Sequence, residues 1–431
     1  MAGINFKYGL DELPPPGELL LYGLQWLAIT VPTVIIIGKV VAPLHFSLPG
    51  DQVAYIGKMF FVTGITLLAQ IIWGHRLPVV LGPATVLLVG IAASRGSSVE
   101  VIYTSILAGG LVLFALAATG LFGWLKKLFT PRVVAAILIL IAFTLAPTIM
   151  NLIIAPAGKA TSLFNLVFAL LFITAAFVAG RLLSGIWKST LIIWAILAGS
   201  LVYFIIYPAS LPAPNAAAGL SAWFLGYPGF GPELDPAVLS AFLVCFLALS
   251  INDLGSIQST GDLVRADNLP RRITRGVSLT GLANALSGLL GVIGPVNFSV
   301  SPGMIASTGC ASRFALIPAA LGLVAISLWP GAITFFGSIP SVVVGGILVY
   351  IMCSQISAGL LVAFGSGVFK FEDGLVLGLP FMLGIIISFL PAEVVGGFPA
   401  PLRPVLGNGF VLGVLSVMFM EHVIYRKIVH R

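Results

Sequence analysis

The chain has 431 residues, of which 59% are hydrophobic and 8% are charged. A soluble domain carries roughly 25% charged residues, so water is not the main solvent of this chain. The net charge of +7 comes from short basic clusters between apolar runs. These clusters lack the continuous basic face that nucleic-acid binding requires. Composition therefore predicts an integral membrane protein without a nucleic-acid partner.

Neither a cofactor site nor a cleaved leader is predicted. Cys245, Cys310 and Cys353 lie singly in apolar segments, with no CxxC pair and no His-rich spacing of a metal site. The sequence also lacks the GxSxG pattern and the His/Asp/Glu clusters of an enzyme. Residues 1–17 precede the first apolar run and lack the basic region and cleavage site of a signal peptide. We expect them to form an N-terminal tail.

Apolar runs of membrane-spanning length recur along the whole chain, since crossing the hydrocarbon core takes roughly 20 residues. We count fourteen predicted segments, the third and tenth being doubtful as full helices: 18–41, 54–74, 77–94, 101–123, 133–150, 161–182, 189–209, 237–258, 275–293, 296–310, 314–336, 339–360, 374–391 and 405–425.

Basic residues predict the orientation of these segments. An even number of spans places both termini on one side, and most of the 21 Lys and Arg residues fall there. The opposite side receives Lys39, Lys58, Arg95, Lys159 and Arg403. Because cytoplasmic loops carry the excess of Lys and Arg, we expect a protein of the cell membrane with both termini in the cytoplasm.

A Pro-, Gly- and Ala-rich linker, 210–236, divides the chain into two sets of seven segments. Seven is an odd number, so the second set must run inverted relative to the first. The predicted fold class is therefore an all-α polytopic membrane protein whose fourteen segments form two inverted repeats of seven, with short extended pieces in segments 3 and 10.

The first polar candidate in chain order is Gln25, which stands beside Trp26 in the apolar first span. Hydrogen bonding between helices and contact with a substrate explain it equally well.

The third and tenth spans open on matching sequences, Val80-Leu81-Gly82-Pro83 and Val292-Ile293-Gly294-Pro295. Paired short spans interrupted by Gly and Pro are a pointer to a transporter binding site, because non-helical backbone at membrane depth must face protein or water. Two proline kinks in ordinary helices are the alternative. In the third span, Ala84 and Thr85 would contribute mainly backbone groups.

The eighth span carries the strongest polar candidates. Asn252, Ser256 and Ser259 recur at i, i+4 and i+7 and so share one helical face. Asp253 lies next to this face and is the most deeply placed carboxylate of the chain. Because burial disfavours a charged carboxylate, Asp253 is the candidate for proton coupling. The alternative is a carboxylate that hydrogen bonds hold fixed and that never titrates.

The tenth span offers an amide, hydroxyls and backbone N–H groups around Pro302 and Gly303. A half-helix beginning near Ser301 would point the positive end of its dipole at a ligand. Ser and Thr in membrane spans also hydrogen-bond their own helix, so a purely structural role stays open.

These residues resemble the motifs of the nucleobase–ascorbate transporter family, also known as the xanthine/uracil permeases. The resemblance covers nearly the whole chain and lies in the Gln25-Trp26 pair, in Asn252-x-x-Gly255-Ser256, in the most specific stretch 301–313, in 338–346 and in 406–409.

The resemblance implies a core formed by 18–125 and 237–336 and a gate formed by 131–209 and 338–427. Substrate would bind between segments 3 and 10 and cross by an elevator-like movement of the core, often in a homodimer. Three positions depart from the family pattern: Asn252 replaces a Glu, Val300 replaces an acidic or amide residue, and Ser301 replaces an Asn. Asp253 one residue away, or a different substrate, would account for the changed site.

The leading hypothesis is a proton symporter for a nucleobase such as uracil or xanthine. Asn252, Ser256, Ser301, Gly303, Ala84, Thr85 and Gln25 are the predicted substrate residues, and Asp253 is predicted to take the proton. A sulfate-permease-like transporter of the same architecture, binding an inorganic or organic anion at the two half-helix N-termini, is the alternative. A passive channel is a third hypothesis.

Overall fold

A computed structural model describes residues 6–94, 96–121, 128–155, 160–208, 231–365, 370–399 and 402–425. Most of the predicted linker 210–236 lies outside these residues. So do seven of the basic residues used to predict the orientation: Arg95, Lys126, Lys127, Lys159, Arg426, Lys427 and Arg431.

The described chain is mostly helical. Its first half contains α1 (Pro16–His45), α2 (Pro49–Ile72), strand β1 (Leu81–Pro83), α3 (Thr85–Ala93), α4 (Val99–Ala118), α5 (Pro131–Thr144), α6 (Ala146–Ile154), α7 (Ser162–Leu182), α8 (Gly185–Ser189) and α9 (Leu191–Ile206). Its second half contains α10 (Pro236–Leu263), α11 (Leu269–Leu289), strand β2 (Pro295–Asn297), α12 (Ser301–Thr308), α13 (Ile317–Ser327), α14 (Pro330–Gly337), α15 (Ser341–Gly365), α16 (Phe371–Ser388), α17 (Ala392–Gly396), α18 (Arg403–Leu406) and α19 (Gly409–Phe419).

Eight helices of the described chain are long and apolar enough to cross a membrane, with α5 and α6 counted as one. The number rises to nine if the bent pair Arg313–Ser327 and Pro330–Gly337 is one span. Two shorter apolar helices, Leu191–Ile206 and Gly409–Ile424, accompany them. The protein is therefore a multi-pass membrane protein, because apolar helices of this length satisfy every backbone hydrogen bond without water.

Side-chain caps and prolines set several helix boundaries. Ser98, Thr130 and Asp235 each accept a hydrogen bond from a backbone N–H in the first turn of the helix that follows them. The predicted single span 314–336 is instead broken, and its two helices meet at 90°. The break falls at Trp329–Pro330, where proline disfavours helical backbone in the residue before it.

The helices pack into two bundles. The first bundle consists of α1–α4, α10–α14 and the two strands, and the second consists of α5–α7, α9, α15, α16 and α19. Within the first bundle α4 packs along α11 and α2 along α13, while in the second α15 packs along α5 and α16 along α19. Each bundle thus combines helices from both halves of the chain.

The two strands form an antiparallel pair inside the first bundle. Leu81 pairs with Asn297, Gly82 with Val296 and Pro83 with Pro295. One strand comes from each half of the chain, and each leads into a short helix, α3 or α12. The pair therefore joins the two halves at one place, and the candidate site is built around it.

Candidate substrate and proton site

The two halves of the chain meet within the first bundle where β1 pairs with β2 and where α3 and α12 begin. This place is the crossing of the two halves, and close backbone contact holds it together. The Ala84 N–H donates to the Gly294 carbonyl at 2.9 Å, and the Phe298 N–H donates to the Val80 carbonyl at 2.8 Å. A Cβ at Gly82 would lie 2.7 Å from the Phe298 ring, and one at Gly294 would lie 1.9 Å from Asn284 Oδ1. Glycine at these two positions is what allows the neighbours to approach so closely.

The short helices α3 and α12 both begin at this crossing without a side-chain cap. The first N–H groups of a helix have no partner within the helix, and the helix dipole makes that end partly positive. Gly303, in the first turn of α12, has no atom within 4 Å of the place a Cβ would occupy. The crossing therefore presents backbone donors beside open space.

Asp253 on α10 is fully buried and faces the crossing from the side of β2. Its Oδ1 accepts two hydrogen bonds from Asn297, one from the backbone N–H at 2.9 Å and one from Nδ2 at 2.7 Å. Its Oδ2 has no hydrogen-bond partner among the described residues. The carboxyl is thus fixed through one oxygen while the other remains able to carry a proton.

The hydroxyls of Ser256 and Ser301 are occupied within the protein. Ser256 Oγ lies 2.9 Å from the Asn297 carbonyl and 2.8 Å from Ser299 Oγ. Ser301 Oγ accepts from the Val80 N–H at 3.0 Å and donates to the Phe298 carbonyl at 2.9 Å. Both side chains are buried, so they hold the crossing together, and any contribution to a ligand is indirect.

Other predicted residues lie at the same crossing with different exposure. Asn252 is half-buried on α10, and Thr85 is half-buried at the start of α3, whereas Ala84 is buried with its N–H committed to Gly294. Gln25 is half-buried on α1, and its Oε1 is a buried atom without a partner in the described chain. The helix α3 contacts both α1 and α10.

Sequence reasoning missed a buried polar network behind Asp253. His75, in the link between α2 and β1, places Nε2 3.2 Å from Asn297 Oδ1. Gln70 Nε2 donates to Thr280 Oγ1 at 3.1 Å, and Gln70 Oε1 accepts from the His75 N–H at 3.2 Å. The polar Gln70 in the apolar second span was a usable signal, but nothing in the sequence paired it with His75.

This arrangement defines the class of protein. Two short helices without side-chain caps, one from each half of a membrane protein, meet beside a buried carboxyl whose Oδ2 has no partner among the described residues. This arrangement is typical of secondary transporters, whose substrate and ion sites lie where broken helices meet.

The particular family follows from comparison with known proteins. Residues 17–393 match the family described as "Permease family", the xanthine/uracil permeases, and the chain belongs to this family. It is accordingly a membrane permease and not an enzyme.

Relatives named as permeases share about a quarter of their residues with this chain. The xanthine permease of Bacillus subtilis (strain 168) is 26% identical over 423 residues, covering 94% of this chain and 93% of the relative. The uric acid permease PucK of the same organism is 26% identical over 417 residues, covering 94% and 95%. The similarity is spread over nearly the full length of this chain and of both relatives.

A solved structure shares the fold. The transmembrane domain of the cyanobacterial bicarbonate transporter BicA superposes with a TM-score of 0.62 at 14% identity, covering 88% of this chain and 98% of that domain. Identity this low supports the fold alone and says nothing of the ligand.

Proposed function

We propose that the protein is a proton-coupled symporter for a nucleobase such as uracil or xanthine. The relatives named as xanthine and uric acid permeases support this substrate class. Asp253 is the proposed proton carrier, and the crossing of β1 and β2 is the proposed substrate site.

One observation carries the coupling proposal: Asp253 Oδ2 is a buried carboxylate oxygen without a hydrogen-bond partner among the described residues. A buried unpaired charge is costly, so the protonated form is favoured whenever the site is closed to water. Opening the site to one side of the membrane hydrates the carboxyl and releases the proton. Alternating exposure of Asp253 would thus move one proton with each substrate.

The proposed substrate contacts are amides and backbone N–H groups. A carboxamide carries a carbonyl acceptor and an NH₂ donor side by side, which matches the adjacent acceptors and donors on the edge of a nucleobase. Asn252 and Gln25 supply such groups, while Thr85 and Gly303 stand in the first turns of the two half-helices. We assign Ser256, Ser301 and Ala84 to holding this surface in shape.

We further propose fourteen segments in two inverted sets of seven, inserted in the cell membrane with both termini in the cytoplasm. In this scheme the first bundle is the moving core, the second bundle is the gate, and transport follows an elevator-like displacement. The packing of the helices into two bundles supports this division.

The second bundle is also the proposed homodimer surface. Its helices α7 and α15 expose large apolar side chains, among them Leu163, Leu171 and Leu361. An apolar cavity of about 290 Å³ lies nearby between α6 and α15, lined by residues such as Met150 and Met352. Lipid chains and a second subunit are both suited to such a surface.

The decisive experiment is uptake of radiolabelled uracil and xanthine by reconstituted proteoliposomes under an imposed pH gradient. We expect accumulation that collapses with a protonophore. Asp253→Asn keeps the acceptor for Asn297 but cannot bind and release a proton, so gradient-driven accumulation should disappear in this variant.

Asp262→Asn is the matched control, because Asp262 lies on the same helix and is exposed. It should accumulate substrate like the unmodified protein. Undiminished accumulation by Asp253→Asn would remove Asp253 from the mechanism, and flux without accumulation in the unmodified protein would indicate a channel.

The anion alternative is tested in the same vesicles. The uncapped N-termini of α3 and α12 favour an anion, whereas the nearby Asp253 carboxyl opposes one when charged. Competition of uracil uptake by sulfate or bicarbonate would support the anion reading, and we expect none.

A further inference from the structure

His75 is a fully buried imidazole in the link between α2 and β1, held in place by its own backbone. Its N–H donates to Gln70 Oε1 at 3.2 Å, and its carbonyl accepts from Arg272 Nη1 at 3.2 Å. A Cβ on Gly276 of α11 would lie 3.0 Å from the His75 Cβ. The ring therefore has little freedom to move, and its contacts reflect a defined position.

The contacts of the ring fix where its proton sits. Nδ1 accepts from the Leu77 N–H at 3.0 Å, so this nitrogen must be unprotonated. In a neutral imidazole the proton is then on Nε2, which donates to Asn297 Oδ1 at 3.2 Å. Because Asn297 Oδ1 accepts this hydrogen bond, Asn297 Nδ2 is the atom that faces Asp253.

The oriented amide makes the two oxygens of Asp253 inequivalent. Oδ1 accepts from both Asn297 Nδ2 and the Asn297 backbone N–H. Protonating Oδ1 would place its new O–H against these two N–H donors and would be unfavourable. Oδ2 has no partner among the described residues and can take the proton without losing a bond. Thr280 Oγ1 lies 3.4 Å from Asn297 Nδ2 and accepts from Gln70, completing the shell around the amide.

We infer that His75 is a positioning residue for proton coupling: it orients the Asn297 amide and thereby directs the transported proton to Asp253 Oδ2. The inference rests on the proposed role of Asp253. His75 comes from the first half of the chain and Asp253 from the second, so the two halves must keep their relative position at the crossing for the proton site to keep its geometry.

Few other titratable groups face this site from the elements packed around α10. The ranges of α3, β2, α12 and α19 contain none. On α11, Arg272 reaches the His75 carbonyl and pairs with Asp267 at 2.6 Å, while Arg271 and Arg275 are exposed. The other titratable groups, all on neighbouring elements or on α10 itself, are Glu100 and Tyr103 on α4, Arg403 on α18, and Cys245 and Asp262 on α10.

The first test is the pH profile of uptake in proteoliposomes. Loss of one of the two bonds to the charged carboxylate should let Asp253 keep its proton to higher pH. In His75→Leu the pH of half-maximal uptake should therefore rise by about one unit. His75→Gln keeps a donor near the position of Nε2 and should retain the original midpoint.

A double-mutant cycle separates positioning from general damage. Asn297→Ala removes the same donor from Asp253 and should shift the midpoint in the same direction. If His75 acts through Asn297, adding His75→Leu to Asn297→Ala should give no further shift. Additive shifts, or an unchanged midpoint in His75→Leu, would overturn the inference.

Infrared spectroscopy of purified protein gives a readout independent of transport. The carbonyl band of protonated Asp253 is assigned by its loss in Asp253→Asn. It should move to higher frequency in His75→Leu, as Oδ1 loses a donor, and stay in place in His75→Gln. A band that moves while uptake shows no pH dependence would defeat the proposed symport and leave the positioning role intact; an unmoved band would defeat the positioning role.

Discussion

The two bundles differ in what fills their interiors. The first bundle buries most of the polar side chains that the structure describes as buried, including Gln70, His75, Asp253 and Asn297. In the described part of the second bundle the buried polar side chains are Thr144, Asn165 and Asn408. Hydrogen bonds are directional, whereas apolar packing is not. Directional hydrogen bonds thus hold the first bundle in one arrangement, whereas the described interior of the second bundle is mainly apolar.

This difference teaches why the site lies where it does. Within a membrane, polar side chains can join helices through hydrogen bonds between them, and a binding site needs groups held within a fraction of an ångström. The first bundle meets that demand with a network spanning α2, α10, α11 and β2. In the second bundle Arg132 pairs with Asp373 at 2.7 Å and with Glu421, just after α19, at 3.0 Å.

The largest expected effect comes from removing an amide from the interior of the first bundle. Asn297→Leu removes the side-chain amide that hydrogen-bonds both Asp253 and His75. Because both of these buried groups lose a partner, the variant should lose about 3 kcal/mol of stability. Thermal unfolding of the purified protein in detergent measures it.

Asn165→Leu is the counterpart in the second bundle. Asn165 bonds the Ala155 carbonyl at 2.7 Å and the Tyr203 hydroxyl at 3.0 Å. Both partners are neutral, so the loss should be about 1 kcal/mol. Equal losses of stability in Asn297→Leu and Asn165→Leu would contradict the proposed difference between the two bundles.

The next effect concerns the two ion pairs of Arg132 in the second bundle. Arg132→Met leaves Asp373 and Glu421, both largely buried, without their cation and should cost about 2 kcal/mol. The melting temperature in detergent should fall accordingly.

Lys7→Met is the control for the loss of an ion pair. The Lys7–Glu18 pair is exposed, and exposed pairs contribute little, so its melting temperature should not change. A stable Arg132→Met variant would show that apolar packing alone holds the second bundle.

A smaller effect is expected from the close packing of α4 against α11. A Cβ at Gly281 would lie 2.6 Å from the Phe114 backbone nitrogen, so Gly281→Ala must push the helices apart, at about 1–2 kcal/mol. Gly378→Ala on α16 adds a Cβ with no atom within 4 Å and should be neutral or stabilising. Similar melting temperatures for the two variants would contradict the close contact.

The smallest effect tests a helix cap in the second bundle. Asn408 accepts from the Phe410 and Val411 N–H groups at 3.1 and 3.2 Å. Asn408→Ala should cost about 1 kcal/mol, and Asn408→Ser, which keeps an acceptor, should lose less. Thermal unfolding of both variants, compared side by side, tests whether the Asn408 side chain stabilises the start of α19 as a helix cap.

Sequence patterns located the main parts of the candidate site but not their roles. The repeated Val-x-Gly-Pro stretches overlap β1 and lead into β2, and the position of Asp253 within an apolar run marked it as buried. Ser256 and Ser301 were chosen for their hydroxyls, yet those hydroxyls bond Asn297, Ser299, Val80 and Phe298. No periodicity reveals such commitments, because the partners are distant in sequence.

By itself, the sequence determined that this protein lies in a membrane, because its apolar runs match the length needed to cross the hydrocarbon core of a bilayer. It also indicated the family, through motif-like stretches such as 301–313. Only the tertiary structure decided which polar groups remain available to a ligand and which form hydrogen bonds within the protein. The pairing of His75 with Asn297, 222 residues apart, depends on the crossing of two strands from opposite halves, and such long-range contacts leave no local signal in the chain.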